Sequence, residues 1–174
     1  MKTLTDHLAT YAEYHRDRRN IATHFVGIPM IVVAIEALLA RASFTVSGVS
    51  ITAALVVSIL AVLFYLRLDL RFGFGMASVL AFALAIGNVI AAQSFGAWLG
   101  LALGTFVVGW VFQFVGHFYE GKKPAFVDDL VGLLIGPLFV VAEAAFMLGL
   151  RSELHAEIVR RAGPTRVGRA AASA

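Results

Sequence analysis

Long apolar stretches dominate this chain and limit what it can fold into. Five of them lie at about residues 25–40, 49–66, 74–92, 95–116 and 125–150. A helix needs roughly 20 apolar residues to cross a bilayer, so these stretches predict membrane-spanning helices. Phe, Leu, Val, Ala and Gly predominate in them, as in helices that pack through small residues in lipid. A transmembrane β-barrel would instead show short alternating segments. We therefore expect an all-α, polytopic transmembrane helical bundle.

The overall composition agrees with a membrane protein and excludes several other classes. The chain is 60% hydrophobic and only 14% charged, whereas soluble domains carry roughly 25% charged residues. Because cysteine is absent, disulfides, thiolate nucleophiles and iron–sulfur clusters are excluded. Residues 1–20 are charged throughout and contain no signal-peptide core. The net charge of +3 is concentrated at the termini and short loops, which indicates membrane-flanking charges and no nucleic-acid partner.

The termini differ from the apolar middle of the chain. Residues 3–17 predict an amphipathic interfacial helix, because apolar and aromatic positions recur at helical spacing. These positions are Leu4, Leu8, Tyr11 and His15. We expect residues 1–150 to form a single integral-membrane domain, with an interfacial part at 1–20 and the membrane bundle at 21–150. The tail at 151–174 is charged and then rich in Gly and Ala, so we expect it to be flexible.

The distribution of Lys and Arg predicts the orientation, because short cytoplasmic loops are enriched in these residues. The basic N-terminus and the loops at 67–73 and 118–129 are then cytoplasmic. The arginine-rich tail would lie outside if segment 125–150 crossed once. Proline interrupts a helix and glycine permits a bend, so Gly136-Pro137 predicts a broken, re-entrant segment that returns to the cytoplasmic side. We expect four spans plus this segment; five straight spans are the alternative.

Three histidines lie where apolar stretches meet charged ones. His15 and His24 surround the start of the first stretch, and His117 lies at the end of the fourth. The predicted topology places them on one side of the membrane, together with other polar residues: Asn20, Asp69, Gln113 and Glu120. A single interfacial histidine is more often a surface residue than a ligand. Three from different segments can form a metal site, because imidazole is a common metal ligand and polar groups against lipid indicate function.

Helical spacing constrains how these residues can meet. Gln113, His117 and Glu120 stand at i, i+4 and i+7, so one helix face presents all three. His15 and His24 are nine residues apart, or about 900° of helix, and would lie on opposite faces of one straight helix. Both can face one centre only if the chain bends near Arg18–Asn20.

Two further histidines and two acids in apolar segments do not belong to this set of polar residues. His7 and His155 fall in amphipathic terminal stretches, where we expect them to be solvated. Glu36 and Glu143 lie inside apolar segments, where an ionised carboxylate is costly. They are protonated, paired with each other or with Arg, or part of a pathway, and the sequence does not choose among these.

Two motifs carry a resemblance to a known family, over about residues 10–150. The first comprises Tyr14-His15, Asn20 and His24-x-x-Gly27-Ile28-Pro29. The second is Gln113-x-x-Gly116-His117-x-x-Glu120-x-x-x-Pro124-Ala125. Together they resemble the 2-hydroxy fatty acid dioxygenase family, and the tail after Arg151 does not take part. Asp69 and Gly136-Pro137 with Glu143 also resemble later family positions.

The resemblance implies an Fe(2+)-dependent α-oxidation. A 2-hydroxy fatty acid and O₂ would yield a fatty acid one carbon shorter, with the carboxyl carbon lost as CO₂. His15, His24 and His117 would bind the iron, as neutral imidazoles suit Fe(II). The polar neighbours would act as catalytic or ligand-orienting residues: Asn20, Gln113, Glu120 and Asp69. The substrate carboxylate would meet basic residues at the interface: Arg16, Arg19 or Lys122, with Arg18 a further choice. The apolar bundle would hold the acyl chain.

Other functions stay open at this point. A di-iron desaturase is disfavoured, since the chain has only five histidines and no H-x-x-H-H run. A haem protein with His24 and His117 as axial ligands is an alternative. A transporter or lipid-binding scaffold is another, because Glu36, Glu143 and a broken helix also occur in transporters. The expected partners are the lipid bilayer, the 2-hydroxy fatty acid and O₂, with a homo-oligomer left open. The expected location is a bacterial inner membrane.

Overall fold

The computed structural model describes residues 2–124 and 131–167, and helices make up most of them. The helical architecture predicted from the apolar stretches is confirmed, with one short β-hairpin as an addition. The elements in chain order are α1 Leu4–Ala12, α2 Arg18–Leu39, β1 Ser43–Val46, β2 Val49–Thr52, α3 Ala53–Leu68, α4 Leu70–Ala91, α5 Phe95–Glu120, α6 Gly132–Met147 and α7 Ser152–Ala162.

The described residues group into two compact units. The first unit comprises the described parts of Met1–Ile28 and Val111–Ala174, and the second comprises Pro29–Trp110. In the first unit, α1 packs on both α6 and α7. In the second unit, α3 packs on α4 and the two strands pair with each other.

Three helices are long and apolar enough to cross a membrane: α2, α4 and α5. The pair α6 and α7 meets the same criterion jointly but is bent by 117°. Helix α3 has 16 residues, or about 24 Å at 1.5 Å per residue, against a hydrocarbon core of about 30 Å. By length and composition, the described residues thus hold three candidate spans, or four if the bent pair is one span. The predicted four spans plus a broken segment, or five spans, are not confirmed.

The second apolar stretch, predicted as helical over 49–66, begins as a β-strand. Strands β1 and β2 pair antiparallel with Val46 opposite Val49, and the two residues between them both have positive φ: 50° at Ser47 and 81° at Gly48. These angles are those of a type I′ turn, which joins two strands directly. The β-branched residues that read as part of a span suit the strands equally well. The helix consequently starts only at Ala53, capped by Thr52.

The predicted break at Gly136-Pro137 is wrong. Helix α6 runs through both residues without interruption. Pro137 lies in the second turn, so its missing N–H removes a single hydrogen bond near the helix start. Gly136 serves packing, because a Cβ there would lie 3.0 Å from the Tyr11 hydroxyl. The bend comes later, between Met147 and Ser152, and residues 125–130 of the predicted segment lie outside the described residues.

The N-terminal helix is shorter than the predicted 3–17. It starts at a capping box, in which Thr3 Oγ1 accepts from the Asp6 N–H and the Asp6 carboxylate accepts from the Thr3 N–H. Its apolar residues Leu4, Leu8 and Tyr11 are buried. The helix ends at Ala12, which leaves residues 13–17 as a non-helical connection to α2. Its role as an interfacial membrane helix stays a prediction.

The tail also differs from its expectation. Residues 152–162 form α7, an amphipathic helix whose Ile158 is buried and which packs on α1. The chain then runs extended to Arg166, which pairs with Asp17 as an isolated parallel bridge. Residues 168–174, also expected to be flexible, lie outside the described residues.

Candidate metal centre

A change of chain direction brings two of the three histidines together. His15 lies in the connection 13–17 between α1 and α2, and His24 lies in the second turn of α2. The bend required by their nine-residue spacing is therefore present, just before the predicted position at Arg18–Asn20. His117 comes from the last turn of α5.

The three imidazoles form one buried cluster. His15, His24 and His117 are 0%, 1% and 6% exposed. Each offers a ring nitrogen, and these three atoms lie within 4.8 Å of one another. The ring centroids are 4.5 Å apart for His15 and His24, 4.9 Å for His15 and His117, and 5.2 Å for His24 and His117. The three rings therefore converge on one point from three segments.

Hydrogen bonds to the backbone define the tautomers of two of these rings. His15 Nδ1 lies 2.7 Å from the Tyr11 carbonyl oxygen, and His24 Nδ1 lies 2.9 Å from the Asn20 carbonyl oxygen. A carbonyl oxygen only accepts, so each Nδ1 carries the hydrogen and each neutral ring leaves Nε2 with a bare lone pair. Ligating histidines are usually oriented by a hydrogen bond of this kind.

The two bare nitrogens face each other at short range. His15 Nε2 and His24 Nε2 are 3.0 Å apart, where two lone pairs repel unless a proton or a metal cation lies between them. Two imidazole nitrogens bound at adjacent positions about 2.1 Å from one metal ion would be about 3 Å apart. The Nδ1 atom of His117 is also buried, without a hydrogen-bond partner among the described residues. The residues therefore fit a metal ion.

The surroundings of His15 favour the neutral ring that binds metals. Burial is the main cause that lowers the pKa of His15 well below its usual value, and the nearby His24 and His117 lower it further. The Tyr11 ring stacks on His15 with centroids 4.1 Å apart. A neutral imidazole keeps its lone pair available to a cation.

A buried carboxylate links α5 to the start of α2. Glu120 Oε2 accepts from the Asp17 N–H at 2.7 Å and from Asn20 Nδ2 at 3.2 Å, while its Oε1 accepts from Arg166 Nη2 at 2.8 Å. Asn20 in turn provides the carbonyl that orients His24. Glu120 is therefore connected to His24, a candidate ligand, by two hydrogen bonds through Asn20.

The face of α5 predicted from spacing is confirmed as the buried one. Gln113, His117 and Glu120 are all buried. Gly116 lies between them, and a Cβ there would run into Thr23 Oγ1 and Asn20 Oδ1. The glycine thus lets α5 approach α2 closely beside His24. Gln113 Nε2 has no hydrogen-bond partner among the described residues, so a donor remains available on this face.

A basic cavity of about 480 Å³ lies next to the cluster. Its lining includes Arg16, the neighbour of His15, together with Glu120. The other charged residues of the lining are Glu13, Lys122, Arg161 and Arg166. Arg16 is 5% exposed, and burial lowers the pKa of its guanidinium. The Nη2 atom of Arg16 lies 3.5 Å from Glu143 Oε1. Of the alternatives considered for Glu143, pairing with an arginine is therefore the one observed. Four basic residues and two acids line the cavity, and Arg161 and Arg166 are paired with Asp6 and Glu120.

Three further predicted site residues, Arg19, Lys122 and Asp69, form contacts with residues outside the histidine cluster. Arg19 forms a two-pronged pair with Asp17, at 2.9 and 3.1 Å, and its guanidinium lies 4.4 Å from the Tyr119 ring centroid. Lys122 Nζ donates to the Glu13 carbonyl at 2.8 Å. Asp69 belongs to the second unit, where its side chain accepts from the Phe72 N–H and caps α4.

Two contributors were missed by sequence reasoning. Arg166 donates to Glu120 from a segment whose sequence predicts a loop, and no local sequence pattern predicts that contact. Tyr11 was assigned to the apolar face of α1, yet it contributes both the stacking ring and the carbonyl that orients His15. The spacing of four between Tyr11 and His15 was the available signal.

Comparison with known proteins places the chain in a family. The family model described as "2-hydroxy-palmitic acid dioxygenase Mpo1-like" matches residues 1–148. The chain is 34% identical over 157 residues to the 2-hydroxy-palmitic acid dioxygenase MPO1 of Saccharomyces cerevisiae, covering 89% of this chain and 87% of the relative. No solved structure matches the chain. The chain belongs to the Mpo1-like family, as its two motifs predicted.

Proposed function

We propose that this protein is a membrane-embedded, non-haem Fe(II) dioxygenase that shortens 2-hydroxy fatty acids by one carbon. The observation that carries the proposal is the pair of bare Nε2 atoms of His15 and His24, 3.0 Å apart beside a third buried histidine. The name of the yeast relative supports the substrate class, because that protein is a 2-hydroxy-palmitic acid dioxygenase.

The three histidines would hold the metal. His15, His24 and His117 would bind Fe(II), which would supply the redox chemistry for the reaction of O₂ with a 2-hydroxy acid. Nitrogen ligands of this type suit iron. Cysteine, the main competing soft ligand, does not occur in the chain.

The proposed overall reaction balances without a further reductant. The bond between the carboxyl carbon and C2 breaks, and the carboxyl carbon leaves as CO₂. C2, which carries the hydroxyl, becomes the carboxyl carbon of the shorter acid. One O₂ takes up the electrons that the 2-hydroxy acid loses, and water completes the balance. No second organic substrate is needed as an electron source.

The other residues of the site would orient ligands and exclude water. The backbone carbonyls of Tyr11 and Asn20 hold His15 and His24 in the tautomers that face each other. Asn20 and Glu120 act on the ligands by this orientation. Gln113, whose Nε2 has no partner among the described residues, donates a hydrogen bond to an oxygen of the substrate. A catalytic role for Asp69 stays a prediction.

The basic cavity is our proposed receptor for the substrate carboxylate. Arg16 is buried and adjacent to His15, and Lys122 lies at the same cavity. A guanidinium suits a carboxylate, because it can donate two parallel hydrogen bonds. Arg19 does not line this cavity and is held by Asp17. We therefore favour Arg16 and Lys122 as the carboxylate partners, and the apolar helices as the place for the acyl chain.

The haem alternative is less well supported. Axial haem ligands approach from opposite faces of a porphyrin, and His24 and His117 were the candidates for that role. His15 packs against both of their rings, with centroids 4.5 and 4.9 Å away. Three rings in mutual contact suit a single ion better than a flat macrocycle.

The expected location is a membrane with the site and both termini on the cytoplasmic side. The apolar helices α2, α4 and α5 support membrane insertion. The charge distribution supports the orientation, since the basic residues cluster at the predicted cytoplasmic ends. A bacterial inner membrane is the proposed compartment.

Turnover with a labelled substrate tests the proposal. The purified protein, loaded anaerobically with Fe(II), is mixed with O₂ and a 2-hydroxy fatty acid carrying ¹³C at C1. We expect ¹³CO₂ and an unlabelled acid one carbon shorter, by mass spectrometry. Absence of both products under conditions where iron stays bound would overturn the proposed function.

A further inference from the structure

We propose that the segment Gly163–Arg166, called here the C-terminal strap, is part of the metal centre. Arg166 is a positioning residue for His24 and acts through Glu120 and Asn20. The inference rests on the proposed function only in assuming that the histidine cluster binds a metal ion. The family model ends at residue 148, so the strap lies outside the part of the chain that this model matches.

The strap is fixed to the connection that carries His15. The Arg166 N–H donates to the Arg16 carbonyl and the Arg18 N–H donates to the Arg166 carbonyl, both at 2.8 Å. Arg16 Nη1 donates to the Gly163 carbonyl at 3.1 Å. The backbone of the strap therefore runs alongside residues 16–18, where the chain turns from His15 into α2.

The side chain of Arg166 neutralises a buried charge. The Glu120 side chain is 0% exposed and lies 2.8 Å from Arg166 Nη2, the one ion pair recorded for it within residues 2–124 and 131–167. An ionised carboxylate without a nearby cation is strongly disfavoured at such a site. Arg166 thus supplies the donor at Glu120 Oε1, while Oε2 accepts from the Asp17 N–H and from Asn20 Nδ2.

The same carboxylate determines the position of His24. Glu120 Oε2 accepts from Asn20 Nδ2 and from the Asp17 N–H at the start of α2. The carbonyl of Asn20 accepts from His24 Nδ1 at 2.9 Å. Without Arg166, Glu120 would lose its donor at Oε1 and its ion pair, so the carboxylate would shift and the hydrogen bond that fixes Asn20 would change. His24 would then present Nε2 less well to the metal ion.

Co²⁺ binding to the metal-free protein tests this inference. The ion's visible absorption reports both affinity and ligand geometry, so the readout does not depend on turnover. Partners of this kind typically change metal affinity by about 10–100-fold. We expect Arg166→Met to weaken Co²⁺ binding by about that factor and to shift its spectrum. Arg166→Lys, which keeps a positive charge, should lose less.

A second substitution separates charge compensation from packing. In Arg166→Met/Glu120→Gln no carboxylate is left unpaired, so we expect Co²⁺ affinity and spectrum to recover most of the loss. Arg160→Met is the matched control, because Arg160 is largely exposed and pairs with Glu157 on α7. Thermal unfolding of each metal-free variant verifies that it folds.

Each outcome bears on the inference. If Arg166→Met binds Co²⁺ as tightly as wild type and Arg160→Met, the strap is not part of the centre. If the double variant is as weak as Arg166→Met, Arg166 does not act through the charge of Glu120. Either result leaves the proposed function intact. A wild-type protein that binds no Co²⁺ would overturn both.

Discussion

The two units of the molecule treat buried polar groups differently. Among its described residues, the first unit buries nine that are polar or charged and connects many of them by hydrogen bonds: His15, Arg16, Asp17, Asn20, His24, Gln113, His117, Glu120 and Glu143. The second unit buries two in its described residues, Glu36 and Ser58, which bond to each other at 2.6 Å. Buried polar groups cost stability unless they are satisfied, so the larger set indicates a unit organised around chemistry.

Glycines also allow close packing in the second unit. A Cβ on Gly73 would lie 2.7 Å from Leu66 in α3, and a Cβ on Gly87 would lie 2.8 Å from Glu36 in α2. Large apolar side chains such as Phe82 remain exposed on its helices, as expected for surfaces that face lipid. From this comparison we propose that the second unit serves as a membrane scaffold, whereas the first unit carries the proposed site.

Replacing a candidate ligand should have the largest effect. His15→Ala, His24→Ala and His117→Ala should each abolish stoichiometric iron binding and turnover, because two nitrogens cannot replace the three-point cluster. His155→Ala is the control, as that ring stacks on Phe146 outside the cluster. Iron analysis and product detection check the result, and full iron content in any of the three variants would remove that residue from the ligand set.

Two glycines on helix α5 extend the comparison within one element. Gly116→Ala should destabilise the first unit by about 1–3 kcal/mol, because the new methyl group overpacks the contact with Thr23 and Asn20. Iron affinity should fall with it. Gly100 in the second unit meets nothing within 4 Å, so Gly100→Ala should be neutral or slightly stabilising. Equal behaviour of the two variants in thermal unfolding would contradict the account of α5.

A substitution in the second unit should separate stability from metal binding. Ser58→Ala removes the hydroxyl that donates to Glu36 and should cost about 1 kcal/mol of unfolding free energy. Iron affinity should remain at the wild-type value. A clear loss of iron on this substitution would show that the scaffold and the site are more tightly coupled than proposed.

The smallest expected effect is a pH dependence of folding stability that comes from Asp6, in the first turn of α1. Hydrogen bonds from Thr3 are the main cause that lowers the pKa of Asp6 from 3.8 to about 2, and Arg161 adds to the effect. Stability from the ionised carboxylate is thus present above the unfolded pKa and is lost as pH falls toward about 2. Asp6→Asn should be less stable than wild type at neutral pH, and the difference should shrink between pH 4 and pH 2. A constant difference across that range would show that the charge does not contribute.

The site was more predictable than the connections around it. His15, His24 and His117 were identifiable because polar residues are rare beside apolar stretches, and the period of the helix placed Gln113 and Glu120 with His117. Tertiary contacts were not readable in this way. The bond between Arg166 and Glu120 joins residues 46 positions apart, and neither the sequence period nor local charge indicates it.

Elements with ambiguous local signals account for the errors in the fold. Val49–Thr52 is apolar and β-branched, so the same residues suit a membrane helix and a strand, and the turn at Ser47-Gly48 decides the outcome. Gly136 and Pro137 read as a break, but α6 tolerates both because the glycine packs against Tyr11. The helix bends instead near Gly149 and Arg151, both at positive φ.

X-ray absorption at the iron K edge of the Fe(II)-loaded wild-type protein tests the central claim most directly. The account predicts about one iron per chain, with the multiple-scattering pattern of imidazole ligands from His15, His24 and His117. Iron that fails to remain bound after removal of the excess, or bound iron without imidazole scattering, would contradict a metal centre built by these three histidines.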